Sequence, residues 1–96
     1  MNLTSPELKA LVIEVATEKY GTGVFRRRPL MLAVEARVRE IGAWTPADDV
    51  LSTSRGEKSE GLAKIDWAIS HLAEDCRIVS GGRDRWRLPQ SRTPSA

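Results

Sequence analysis

Cysteine occurs once in this chain, at Cys76, and histidine once, at His71. A lone cysteine excludes an internal disulfide. A lone histidine, with only Cys76 near it at any metal-ligand spacing, excludes the common zinc patterns. Glycine-rich phosphate loops of the Walker or dinucleotide type, HExxH and cysteine pairs are all missing, so the expectation is a protein that is not an enzyme and uses no cofactor and no metal. No apolar run approaches membrane-spanning length, and Met1-Asn2-Leu3-Thr4-Ser5-Pro6 lacks the basic-then-apolar form of a secretory signal. The expectation is therefore a cytoplasmic protein with no membrane partner.

What remains is a chain of 96 residues, 41% hydrophobic and 29% charged, long enough for one modest core and too short for two domains. The net charge of +2 is small but unevenly spread. Residues 26–40 carry five basic against two acidic side chains and residues 77–96 five against one, whereas residues 41–76 carry three against seven. Positive charge thus gathers in Arg26-Arg27-Arg28 and near the C-terminus, while the segment between is acidic.

Ser5-Pro6-Glu7 supplies a helix N-cap, a first-turn proline and an early carboxylate, and the helix should run to about Tyr20 with Leu8, Leu11, Val12 and Val15 facing inward. Gly21-Thr22-Gly23 ends it. Val24-Phe25 leaves room for a strand of two or three residues, with Phe25 in the core. A second helix should follow Pro29, burying Leu30, Val34, Val38 and Ile41 and closing at Gly42. Arginines at a positive helix end are misplaced unless an anion offsets them. Thr45-Pro46-Ala47-Asp48 reads as one capped helical turn, which also accounts for the adjacent carboxylates Asp48 and Asp49, and Ser52 to Lys58 as a flexible loop.

From Ser59 the apolar residues Leu62, Ile65, Ile69, Leu72 and Cys76 recur at three- and four-residue steps, the signature of a third helix with a buried, unreactive Cys76. On the ideal wheel its apolar arc covers about a third of the circumference, and Trp67 lies nearly opposite the centre. Trp67 is then either covered by a second layer or exposed for a partner; His71 reads as structural. The period changes after Arg77. Ile78-Val79-Ser80, the turn-prone Gly81-Gly82-Arg83-Asp84 and the alternating Arg85-Trp86-Arg87-Leu88 read as a hairpin with Trp86 inward and its arginines outward. Residues 1–88 form the expected domain, and 89–96 a disordered tail.

The order helix, short strand, helix, helix, basic hairpin resembles the winged helix-turn-helix superfamily, an α+β winged helix whose third helix and hairpin "wing" meet DNA. Lys64-Ile65-Asp66-Trp67-Ala68-Ile69-Ser70-His71-Leu72, followed by the hairpin ending Arg85-Trp86-Arg87-Leu88, also resembles the amino-terminal domain of Mrr-type restriction proteins. Those domains are attached to a nuclease, and this chain ends at the wing. The resemblance implies a targeting or regulatory module without cleavage activity, either standing alone or excised from something longer.

Two functional readings follow. In the first, the module binds double-stranded DNA: the N-terminal half of the third helix enters the major groove with Ser59, Glu60, Ala63 and Lys64 nearest the bases, Arg83 and Arg85 lie along the backbone or in the minor groove, and Arg27, Arg28, Arg55 and Lys58 contact phosphates. One copy should bind weakly, which makes a homodimer useful. In the second, the same fold docks or dimerises with a protein partner through the third-helix face around Trp67, consistent with the acidity of that helix.

Overall fold

A computed structural model describes residues 1–51 and 59–89. The chain forms a small α+β domain: helices α1 (Ser5–Tyr20), α2 (Arg27–Glu40) and α3 (Glu60–Glu74), a 3-10 turn (Pro46–Asp49), and an antiparallel hairpin of β1 (Val79–Gly82) and β2 (Arg85–Arg87). The expected loop from Ser52 to Lys58 and all but the first residue of the expected tail lie outside the described residues. No helix among the described residues is long and apolar enough to cross a membrane.

The cap of α1 is Thr4, one residue earlier than expected. Its hydroxyl accepts from the Glu7 amide at 3.3 Å, and the Glu7 carboxylate accepts from the Thr4 amide at 2.8 Å. This reciprocal pair satisfies two otherwise unpaired donors. The Thr4-to-Glu7 spacing outcompetes Ser5, which becomes the first helical residue. The inward stripe is Leu8, Leu11, Val12 and Val15, joined by Ala16.

α2 begins at Arg27 rather than after Pro29. Amides of the first helical turn have no intrahelical acceptor, so a proline there removes nothing the helix needs. Leu30, Met31, Val34 and Val38 are buried. Ile41, expected on that face, caps the helix instead and is 53% exposed, because the chain turns away at Gly42, where φ is 75°.

In α3, Ser59 caps the helix through its hydroxyl, which accepts from the Leu62 amide at 3.2 Å. Ile65, Ala68, Ile69 and Leu72 are fully buried and Leu62 partly so. Cys76 does not continue the stripe: the helix stops at Glu74, and Cys76 is exposed with φ at 57°. Its amide donates to the Ala73 carbonyl and that of Arg77 to Leu72. This is a Schellman ending, in which the left-handed position usually belongs to glycine. The following residue, Ile78, drops into the core.

The hairpin pairs Val79 with Arg87, Ser80 with Trp86 and Gly82 with Arg85, with a bulge between Ser80 and Gly82. The short strand after α1 contracts to one residue. Phe25 and Trp86 exchange both backbone hydrogen bonds, at 2.7 and 2.8 Å, which joins the start of α2 to the hairpin. Phe25 is buried as expected, and Trp86 is half-buried against the core.

Candidate nucleic-acid interface

The bridge between Phe25 and Trp86 fixes where the hairpin's arginines stand relative to the basic run at α2. In antiparallel register the residue after Phe25 falls opposite the residue before Trp86, so Arg26 faces Arg85 and Val24 faces Arg87. Val24 indeed lies over Gly81, where an added Cβ would come within 2.8 Å of Val24 Cγ1 and 3.5 Å of Arg87 Cγ. Phe25 and Trp86 point toward the core. Arg26 and Arg85 are exposed, as are Arg28 in the first turn of α2 and Arg83 in the hairpin turn, and Arg87, on the same strand face as Arg85, is half-buried. Like charges opposed across a ladder repel one another. An anion bound between them removes that penalty and gains charge-assisted hydrogen bonds.

The remaining arginines of α2 are already engaged. Arg37 pairs with Glu18 and lies 3.6 Å from Glu14, and Arg39 pairs with Glu35 at 2.9 Å and Asp49 at 3.0 Å. Hydrogen bonding to these carboxylates, Glu18 for Arg37 and Glu35 then Asp49 for Arg39, raises both guanidinium pKa values. Arg27 is engaged as well. Its Nε donates to the Asp66 carboxylate, and one terminal nitrogen donates to the Asp66 carbonyl at 3.0 Å and to the Ser70 hydroxyl. The anion that offsets this arginine at the helix start is thus a side chain of α3. By contrast, Arg26, Arg28, Arg83, Arg85 and Arg87 have no carboxylate partner among the described residues.

The other expected contact residues divide. Arg55 and Lys58 lie outside the described residues. Ser59 uses its hydroxyl as the α3 cap. Lys64 is about half exposed and sits 3.5 Å from the buried carboxylate of Asp48. The rest of the outer face of α3 carries Glu60, Ala63, Trp67 and Glu74, with none of the arginine, asparagine or glutamine that reads base edges well. Trp67 is 42% exposed, with His71 tilted against its ring at 4.2 Å and the Lys9 ammonium 5.4 Å above it.

Asp48 anchors the start of α3 from below. It is fully buried and receives hydrogen bonds from the Met1 ammonium at 3.0 Å and from the Thr45 amide and hydroxyl at 2.9 and 3.0 Å. Burial pushes its pKa up, but these donors outweigh burial and hold it at about 2. Above it, Trp44 covers Gly61 so closely that a Cβ at that glycine would overlap the ring and come within 2.8 Å of the Asp48 Cβ. The Trp44 indole donates to Asp49 at 3.0 Å, and Arg39 lies 4.3 Å over its ring.

Sequence reasoning marked the Arg26-Arg27-Arg28 run as basic but left Arg26 and Arg87 out of the named DNA contacts, and overlooked Trp44 as the clamp on α3. The alternation of Phe25 with Arg26, and of Trp86 with its two arginines, was the available signal for the first pair. No protein-family model matches the chain, and no curated protein or solved structure shows significant similarity to it. Among the described residues no group of three or more His, Cys, Asp or Glu side chains is placed to hold a metal ion.

Proposed function

We propose that this domain is a winged-helix-like module that binds double-stranded DNA without catalysis, in a targeting or regulatory role, and that the wing leads the contact. The observation that carries the reading is the Phe25–Trp86 bridge, which opposes Arg26 and Arg85 at a basic edge, with Arg28, Arg83 and Arg87 each two residues along the chain from one of them and none of the five with a carboxylate partner among the described residues. Such an edge suits phosphates, which a planar guanidinium grips with two parallel donors. The order of elements and the Trp67-Ala68 pair ahead of Arg85-Trp86-Arg87 add the resemblance to Mrr-type amino-terminal domains.

In this reading phosphates supply most of the affinity and base edges little of the specificity. Lys64 lies beside Asp48, and Arg27 is held by α3, so neither is a principal contact; Arg55 and Lys58 keep their expected phosphate role. Fluorescence anisotropy on a labelled duplex, titrated at several salt concentrations, tests the proposal. Five phosphate contacts from the edge give a slope of log affinity against log salt of roughly −4.5, from about −0.9 per contact, and Arg55 and Lys58 make it steeper. Replacing Arg26 and Arg28, or Arg83 and Arg85, by alanine should flatten it by about two units for each pair. Failure to bind any duplex at low salt overturns the reading.

A further inference from the structure

The first three residues form a strap on the connection between α2 and α3, held by polar atoms as well as by packing. The Asn2 amide donates to the Ala43 carbonyl at 2.8 Å, and Leu3 packs against the core. Met1 completes the strap. Its α-ammonium stands 2.8 Å from one carboxylate oxygen of Asp48 and 3.0 Å from the other, and it donates to the Thr45 hydroxyl at 3.2 Å. The side chains of Met1 and Asp48 are 1% and 0% exposed, so solvent and salt screen this pair little. Lys64 adds a second cation at 3.5 Å, but from a half-exposed side chain. Asp48 in turn lies against the start of α3, close enough to Gly61 that an added Cβ would come within 2.8 Å of its own, and the Glu60 amide donates to the Val50 carbonyl at 2.7 Å. Whatever holds the Pro46–Asp49 turn therefore holds the first residues of α3.

We infer that the α-amino group of Met1 is a modification site, at which acetylation releases the strap from Asp48 and loosens the start of α3. Acetyl transfer from an acyl thioester forms an N–C bond to Met1 and breaks the thioester C–S bond. The ammonium first gives one proton to solvent, and the amine gives a second to the departing thiolate. The product is a neutral amide. It keeps a single N–H donor and adds an acyl group beside side chains that are already covered. Asp48 is then left with the neutral donors of Thr45 and with Lys64 at the edge of the site. Removing one partner of a shielded ion pair destabilises far more than deleting an exposed pair, because the remaining charge stays desolvated. The amine is engaged in the folded domain, so the transfer takes place before the strap closes or while it is open. This device does not rest on DNA binding, since it uses none of the basic edge.

The test uses the whole 96-residue chain, made by chemical synthesis with Met1 either free or Nα-acetylated, in the wild-type and Asp48→Asn backgrounds. At neutral pH acetylation should lower the melting temperature of the wild-type chain by about 10 °C. In the Asp48→Asn background the same acetylation should cost less than half as much, because the carboxylate that needs the charge is gone; the cycle isolates the pair. Amide hydrogen exchange supplies a readout that needs no substitution. Acetylation should speed exchange at the Asn2 and Thr45 amides by at least about tenfold while changing Val12, in the middle of α1, by less. If the Asp48→Asn chain does not fold, this exchange comparison decides. Equal melting temperatures of the free and acetylated wild-type chains overturn the inference. So does an equal loss in both backgrounds, or unchanged exchange at Asn2 and Thr45.

Discussion

Arg27 and Asp66 hold α2 and α3 together: the guanidinium spans the Asp66 carboxylate, the Asp66 carbonyl and the Ser70 hydroxyl on one turn of the neighbouring helix. Both side chains are partly shielded, about a third and a quarter exposed. Arg27→Ala should therefore lower stability by about 1–2 kcal/mol in urea melts, between the value of an exposed pair and that of a buried charge-assisted bond. The salt slope of duplex binding should hardly change. A slope flattened by a full unit with stability intact would return Arg27 to the phosphate contacts.

The hairpin separates packing from binding. Trp86→Ala removes a large ring packed on the core and the partner of Phe25, and should cost about 3 kcal/mol. Replacing Arg83 and Arg85 together should leave the melting temperature nearly unchanged while weakening duplex binding, because both side chains are exposed. Equal thermal stability of wild type and the Trp86 variant would contradict the strand register.

Cys76 occupies the left-handed position that ends α3, with φ at 57°. A side chain there costs roughly 1 kcal/mol that glycine avoids. Cys76→Gly should raise the melting temperature by about 4–8 °C, and Cys76→Val should lower it. Calorimetry on the two variants decides the matter, and a destabilised glycine variant would be inconsistent with the assigned helix ending.

Asp48 links stability to acid. Its folded pKa, about 2, lies below the unfolded value near 3.8, so its contribution is fully present above about pH 4 and disappears as pH falls toward 2. The size of the shift corresponds to about 2 kcal/mol. Asp48→Asn should lose roughly that much at neutral pH and flatten the pH dependence of stability between 4 and 2. Parallel acid titrations of the two proteins, followed by circular dichroism, would expose the error if the slopes were equal.

The sequence by itself determined the elements whose cause is local. The inward stripes of α1 and α3, the glycine stop after Tyr20, the capped turn at Thr45 and the switch to period two after Arg77 all follow from residue spacing and backbone preference. Local rules also misplaced boundaries where two signals competed: Thr4 over Ser5 as cap, Arg27 over Pro29 as the start of α2, and the Schellman turn that takes Cys76 out of its stripe. Tertiary structure alone decided which charges are free. Arg26, Arg27 and Arg28 are chemically identical neighbours, but Arg27 lies within reach of Asp66, thirty-nine positions along the chain, while Arg26 is turned to Arg85 by the bridge beneath it. Helical and strand periods predict which face a side chain occupies. Which opposite charge that face meets is set by the packing of distant segments, as Arg27 with Asp66 and Arg26 opposite Arg85 show.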